Sequence, residues 1–323
     1  MDRPLLIILD PVKAPGTSFV RPLLRALEAH YRVRLHEHAA ADLVAPALAE
    51  ADILWIDWAT EHAVCASELN RTARRPLLVR LHSYEALDTD CVERIDWTGV
   101  SVCVAVSRTI LDIARGRSAR MTQCRVQVIE NGIDLERFRP EWSRLCNPSD
   151  IRIAWVGDLA PKKDPALALR ILADYLRSGR TATLHFAGPW KSLRVRLHLQ
   201  DLVTRLNLHD VVHFAGNVDD MPGWLADKDV LLSTSMFESF GYAIGEALAA
   251  GLDAVILSYP GAEHAWPADV LVNTSAEAVE RLGRVQKFRW IGYVSRRYTL
   301  AAQAERMLSE LASIQLPAAR AGA

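Results

Sequence analysis

Short apolar runs bounded by turn residues recur along this chain, with helical patterns in the gaps between them. In the first half the runs are Leu5–Asp10, Tyr31–His36, Asp52–Trp58, Pro76–His82, Val100–Ser107 and Val126–Glu130. Helical spacing separates several of them, as in Phe19–His30 and Thr109–Arg117. Strands alternating with helices form parallel sheets covered on both faces, because each crossover lays a helix across the sheet. The series then restarts with Ile151–Gly157, Ala182–Gly188, Val211–Gly216, Asp229–Thr234, Asp253–Tyr259 and Val270–Asn273, interleaved with the helical stretches Asp164–Arg177, Leu193–Leu206 and Phe240–Ala250. Two doubly wound α/β sheets are the expectation, with ligand crevices at the carboxyl ends of their strands.

The segment Pro140–Asp150 holds two prolines, an asparagine and no clear period, so the domain boundary is expected there. This gives domains over 1–140 and 151–297. A final amphipathic stretch, 298–316, carries Leu300, Met307, Leu308 and Leu311 near one stripe and reads as a helix. A chain of 323 residues with a net charge of −1 lacks the excess of Lys and Arg that a general nucleic-acid binder needs. A small molecule is the expected partner. Five cysteines, none in a Cys-x-x-Cys pair, and an opening apolar run too short for a secretory leader point to reduced thiols and a cytoplasmic protein.

The most informative stretch is Ser233–Gly251, STSMFESFGYAIGEALAAG. A buried strand ends at Ser233, a loop carries Glu238, and a helix opens near Ser239–Gly241. Gly241 lets backbone approach a ligand, and free amides of a first helical turn favour an anion such as a diphosphate. Glu246, in the second turn, offers a carboxylate that can accept hydrogen bonds from two vicinal hydroxyls, as on a ribose. An ordinary amphipathic helix with solvated glutamates fits the same pattern.

The Glu-x7-Glu spacing within ESFGYAIGEALAAG resembles the signature of family 4 retaining glycosyltransferases, which have the GT-B fold: two Rossmann-like domains with facing parallel sheets and a cleft between them. The resemblance implies that Glu238 contacts the transferred sugar, that Glu246 binds the nucleotide ribose, and that amides near Ser239, Phe240 and Gly241 meet the diphosphate. Other segments are similar to the family in the same order. IENGIDLERFRP (129–140) resembles its interdomain crossover. WVGDLAPKKDP (155–165) resembles its phosphate loop, implying Gly157, Lys162 and Lys163 as donor contacts. FAGNVDDMPGWLADKD (214–229) resembles the base-binding segment, implying Asn217 and Val218. The chain departs from the family at Asp158, where an arginine is usual; an acid there is expected to point away from a diphosphate. In the loop after the first strand only Gly16 remains of the family's glycine-rich turn.

On the other domain, His82 follows a strand's carboxyl end within RLHSYE (80–85) and is similar to the family histidine near the reaction centre. The resemblance thus implies His82 and Glu238 as catalytic residues, with Tyr84 and Glu85 as weaker candidates for ordering the site. The implied reaction is retaining transfer of a sugar from a nucleotide-diphosphate donor to a glycan or lipid-linked hydroxyl, in polysaccharide or glycoconjugate synthesis. No metal and no separate cofactor are expected. Asp88-Thr89-Asp90 and Asp219-Asp220 read as solvated acids. The basic cluster Arg108, Arg115, Arg117, Arg120 and Arg125 reads as a solvated face, with a contact to anionic lipid or a phosphorylated acceptor as the sharper alternative. Two rival readings are another GT-B enzyme, such as an epimerase or phosphorylase, and a non-catalytic donor-binding subunit.

Overall fold

The computed structural model describes residues 3–11, 18–140, 147 and 149–316. It divides into two compact units, one formed by Met1–Gly132 with Leu300–Ala323 and the other by Ile133–Thr299. Each of the twelve apolar runs read from the sequence overlaps a strand, ten of them enclosing it and the other two missing it by one residue, Glu37 and Arg125.

In the first unit these are β1 (Leu5–Asp10), β2 (Arg32–Glu37), β3 (Ile53–Asp57), β4 (Leu77–Leu81), β5 (Val102–Ala105) and β6 (Arg125–Val128). They form one parallel sheet in the order β2-β1-β3-β4-β5-β6. The central strands are buried on both faces, so Leu77, Leu78, Val79 and Leu81 are all at 0% exposure. That double burial is why they read as continuous apolar runs rather than as alternations. The helix Leu300–Ala312 packs Ala304, Met307 and Leu311 into this unit's core beside Leu6, Ile8 and Val104.

The second unit holds β7 (Ile151–Val156), β8 (Ala182–Ala187), β9 (Val212–Gly216), β10 (Val230–Ser233), β11 (Asp253–Leu257) and β12 (Leu271–Val272). Their parallel order is β12-β11-β10-β7-β8-β9. The strand order reverses between β7 and β10, which makes the carboxyl ends of these two strands the topological switch point.

Residues 133–140, assigned above to the first domain, pack in the second unit. Ile133 and Phe138 are buried in its core with Ile244 and Leu248, and the Ile133 amide donates to the Tyr298 carbonyl at 2.8 Å. Proline and asparagine mark where the chain is irregular, but the side chains that bury apolar surface decide which unit a segment joins. Cys65, Cys91, Cys103 and Cys124 are free thiols, and Cys146 lies outside the described residues. Among the described residues no helix is long and apolar enough to cross a membrane.

Candidate functional site

The switch point of the second unit is built by two loops, one after β7 and one after β10. In the first, Gly157 adopts φ +153°, and a side chain on Gly188 would put its Cβ 1.9 Å from the Gly157 carbonyl oxygen. Only glycines allow the two strand ends to lie this close. The loop then closes on Asp164, which caps the helix Pro165–Arg177 by accepting from the Leu167 amide at 3.1 Å, with proline in the first helical position. Lys-Lys-Asp-Pro is thus a helix-opening sequence that carries its two cations on the turn before the cap.

Thr234, the residue after β10, ties the second loop to the first. Its hydroxyl accepts from the Trp155 indole at 3.0 Å and shares its proton between the carbonyls of Lys163 (2.9 Å) and Asp164 (2.8 Å). The Met236 amide donates to the Lys162 carbonyl at 3.0 Å. These bonds fix Lys163 relative to Glu238, and the two side chains form an ion pair at 20% and 16% exposure. Lys162 stays exposed. Sequence reading assigned both ends of the pair to a donor but missed the pair itself and Thr234 between them. Only strand order brings residues 75 positions apart together.

The helix after Glu238 runs Tyr242–Ala249, with Gly241 at its N-cap at φ +85°, a conformation that side chains disfavour. Phe240 is buried against Trp266 and Tyr298, so its side chain anchors the helix start and only its backbone is offered to a ligand. Ser239 is half-buried beside it. Glu246 has no hydrogen-bond partner among the described residues. Burial pushes its carboxyl up to about 7, opposed by the Arg137 guanidinium. A half-buried carboxyl without a partner is free to bind hydroxyls.

Asp158 pairs with Lys191 at 3.3 Å, a surface contact in which each side chain is 40% exposed or more. Asn217 is exposed and Val218 half-buried, in the loop between β9 and the helix Met221–Ala226. Asp220 caps that helix by accepting from the Gly223 amide at 3.2 Å, which uses one of the Asp219-Asp220 pair structurally.

The first unit gathers a different kind of site. His82 stands at the N-terminal end of the short helix Ser83–Leu87, its side chain making no capping bond, and is 2% exposed. Its ring stacks on Trp58 with centroids 4.1 Å apart and lies 5.4 Å from Phe19. Its Nε2 is 3.8 Å from Oδ1 of Asp57, the last residue of β3. Arg80 faces Asp57 across the strand pair and donates to the same oxygen at 3.3 Å, with its other arm on the Asn131 amide oxygen. Burial pushes the Asp57 carboxyl up, but Arg80 and His82 outweigh it and hold it below the usual value. Burial pulls the His82 imidazole down, against the attraction of Asp57. Glu85 is buried, accepts from the Ala59 amide, and is pushed by burial up to about 8. Asp57 and Trp58 were not singled out from the sequence, where they end an apolar run; Arg80 and Asn131 fall within the segments RLHSYE and IENGIDLERFRP quoted above, but were given no role there.

Gly16 lies outside the described residues. Tyr84 is 52% exposed and turned away from the buried cluster that holds Glu85. Asp90 pairs with Arg94, which also binds Glu61; Glu61, Asp90 and Cys91 stand close together, but that guanidinium already neutralises them. The arginine cluster is spread over separate partners. Arg108 pairs with Asp112, Arg117 with Glu93 and Arg125 with Glu310, while Arg120 donates to the Glu93 carbonyl. Four of its five members are thus engaged within the first unit, with Arg117 and Arg120 sharing Glu93.

Two doubly wound parallel sheets of these orders are the GT-B fold. Among solved structures, the chain is similar to HepE of Anabaena in complex with UDP and glucose, with a TM-score of 0.72 at 18% identity over 96% of this chain and 100% of that one. It is also similar to sucrose-phosphate synthase of Thermosynechococcus elongatus, with a TM-score of 0.74 at 16% identity over 96% and 98%. Residues 150–287 match the family described as Glycosyl transferases group 1, so the second unit carries a domain of that type. In sequence the chain is 32% identical over 145 residues to D-inositol 3-phosphate glycosyltransferase 2 of Catenulispora acidiphila, 41% of this chain and 34% of that protein. The chain spans about a third of the length of the curated relatives it matches.

Proposed function

We propose that the protein is a family 4 retaining glycosyltransferase. It moves a sugar from a nucleotide-diphosphate donor to a hydroxyl of a glycan or lipid-linked acceptor, in the cytoplasm and without a metal. The observation that carries this reading is the Lys163–Glu238 pair at the β7/β10 switch point, inside the stretch that matches group 1 glycosyltransferases. A diphosphate competes for Lys163, with Lys162 beside it, and the amides that open the helix at Tyr242 complete an anion site. Glu238, released from Lys163, then holds the sugar hydroxyls. Glu246 takes the ribose, and the loop at Asn217 and Val218 takes the base.

Bond breaking moves positive charge onto the sugar ring and negative charge onto the leaving diphosphate. Lysines fixed before the ligand arrives stabilise that charge without reorganising, which is where electrostatic catalysis gains most. The acceptor hydroxyl attacks from the face the diphosphate leaves and passes its proton to that diphosphate, and His82 is the second catalytic residue of this reading. HepE was solved with UDP and glucose, so uridine diphosphate sugars head the list of donors to test.

A thermal-shift screen of nucleotide-diphosphate sugars tests the reading. One donor should raise Tm by several degrees, and Glu246→Ala should abolish that shift. Glu238→Gln and His82→Ala should cut turnover about 100-fold while leaving the shift in place. A shift retained in Glu246→Ala sinks the ribose assignment. Donor binding with no transfer to any acceptor extract makes the protein a non-catalytic subunit instead.

A further inference from the structure

The carboxyl edge of the first unit's sheet buries more polar capacity than it uses. Asp57 Oδ2, Arg80 Nε, His82 Nε2 and Glu85 Oε2 are all buried without a hydrogen-bond partner among the described residues. Leaving such atoms unpaired costs about 1–3 kcal/mol each, so they need a role. Around them the backbone is also strained. Trp58 holds φ +76°, rare for a bulky residue, and the Thr60 amide closes a tight turn onto the Trp58 carbonyl at 2.8 Å. That turn aims the Trp58 ring at His82 and the Ala59 amide at Glu85.

The imidazole therefore has little freedom. Trp58 stacks on it at 19° between ring planes, and Phe19 stacks at 29°. What remains to be decided is which nitrogen carries the proton, and Asp57 Oδ1 is the acceptor nearest Nε2. Asp57 is itself fixed: the strand register sets it opposite Arg80, whose second arm is held by Asn131. Asn131 is reached in turn by the Gln303 amide at 3.5 Å, and Gln303 accepts from the Gly132 amide at 2.8 Å.

We propose that Asp57 is a positioning residue for His82: held by Arg80, it directs the Nε2 proton to itself and leaves the Nδ1 lone pair as the ring's acceptor. A carboxylate that orients a histidine and sets its tautomer in this way also raises the ring's basicity. The inference rests on the reading above that His82 serves sugar transfer; in that reaction the Nδ1 lone pair is the atom that meets a substrate hydroxyl. The charged groups acting on the ring are the anionic Asp57 and the cationic Arg80; Glu85, buried against the Ala59 amide, is kept neutral at pH 7 by burial.

Nitrogen-15 and carbon-13 NMR of histidine-labelled protein reads the ring directly. In the wild type the neutral ring of His82 should be protonated at Nε2. In Asp57→Ala the Nδ1-protonated form should rise at least fivefold. Asp57→Asn keeps an oxygen toward Nε2 but loses the charge, so the tautomer should persist while the His82 midpoint falls. Arg80→Met removes a nearby cation, so the midpoint should rise. Turnover in Asp57→Asn should drop about 10–100-fold with the donor KM unchanged within twofold. A purely structural Asp57 would move Tm but neither the tautomer nor the midpoint.

Wild-type ring signals in both Asp57 variants overturn the proposal. Should Asp57→Ala not fold, the midpoints of Asp57→Asn and Arg80→Met decide in its place. Should the ring respond as described while His82→Ala still transfers sugar at the wild-type rate, Asp57 keeps its positioning role and the assignment of His82 to transfer fails.

Discussion

Asp57 and Asp253 are both buried aspartates at 0% exposure, one in each sheet, yet they are treated in opposite ways. Asp253 opens β11, and its two oxygens accept from Arg281 at 2.7 and 2.8 Å, the Trp290 indole at 2.9 Å, and the amides of Gln286 at 2.7 Å and Ala254 at 2.9 Å. Asp57 closes β3 with one weak arginine contact, a distant histidine and an oxygen left over. A buried carboxylate with every lone pair met is a brace, here tying residues 281–290 to the sheet. One with spare capacity at the carboxyl end of a strand sits where doubly wound folds bind ligands. The difference lies in how many lone pairs each carboxylate has met inside the fold.

The largest effect that could sharpen this contrast is at Glu85. Its carboxyl titrates at about 8 in the folded chain against 4.5 when free, so the folded state binds the extra proton between those values. Stability conferred by the neutral acid is therefore present below pH 4.5 and lost as pH rises through 8. Glu85→Gln, which keeps an acceptor for the Ala59 amide, should match the wild type at pH 4.5 and exceed it at pH 9 by on the order of 5 kcal/mol. Equal unfolding midpoints at both pH values would mean that Glu85 is ionised in the fold.

Asp253 comes next. Asp253→Ala takes the carboxylate from the half-buried Arg281, which keeps the Asp269 and Arg284 carbonyls, and should cost about 3 kcal/mol, read as a lowered midpoint in urea unfolding. A loss no larger than that of Asp57→Asn would erase the distinction.

Glu246 repeats the slope of Glu85 over a narrower window, from 4.5 to about 7. Being partly exposed, it should yield on the order of 2 kcal/mol in Glu246→Gln at pH 8. Hydroxyls that donate to the carboxylate favour its charged form. Donor binding should therefore release a proton near pH 6.5 and weaken below it, measured by calorimetry in two buffers of different ionisation enthalpy. Binding that is flat between pH 5.5 and 8 would remove Glu246 from the ribose.

Much of this molecule was legible in one dimension. Apolar runs, turn residues and the restart at Ile151 are local, and local chemistry sets strand positions, helix caps such as Asp164 and the glycine at position 241. The segment ESFGYAIGEALAAG could be located for the same reason: its features lie within one loop and one helix. Even there the role of Phe240 was not visible, because burial against Trp266 and Tyr298 depends on chain 26 and 58 residues away. The boundary at 132–133 escaped for a similar cause, since Ile133 and Phe138 choose their unit by packing.

The sequence by itself determined the class of fold, two parallel sheets wound on both faces, and the loop and helix that carry Glu238 and Glu246. Only the tertiary structure decided that Lys163 answers Glu238 and that Asp57, Arg80 and His82 meet. The physical reason is register. Pairing Asp57 with Arg80 across β3 and β4, and laying β10 beside β7, joins side chains that no local rule connects.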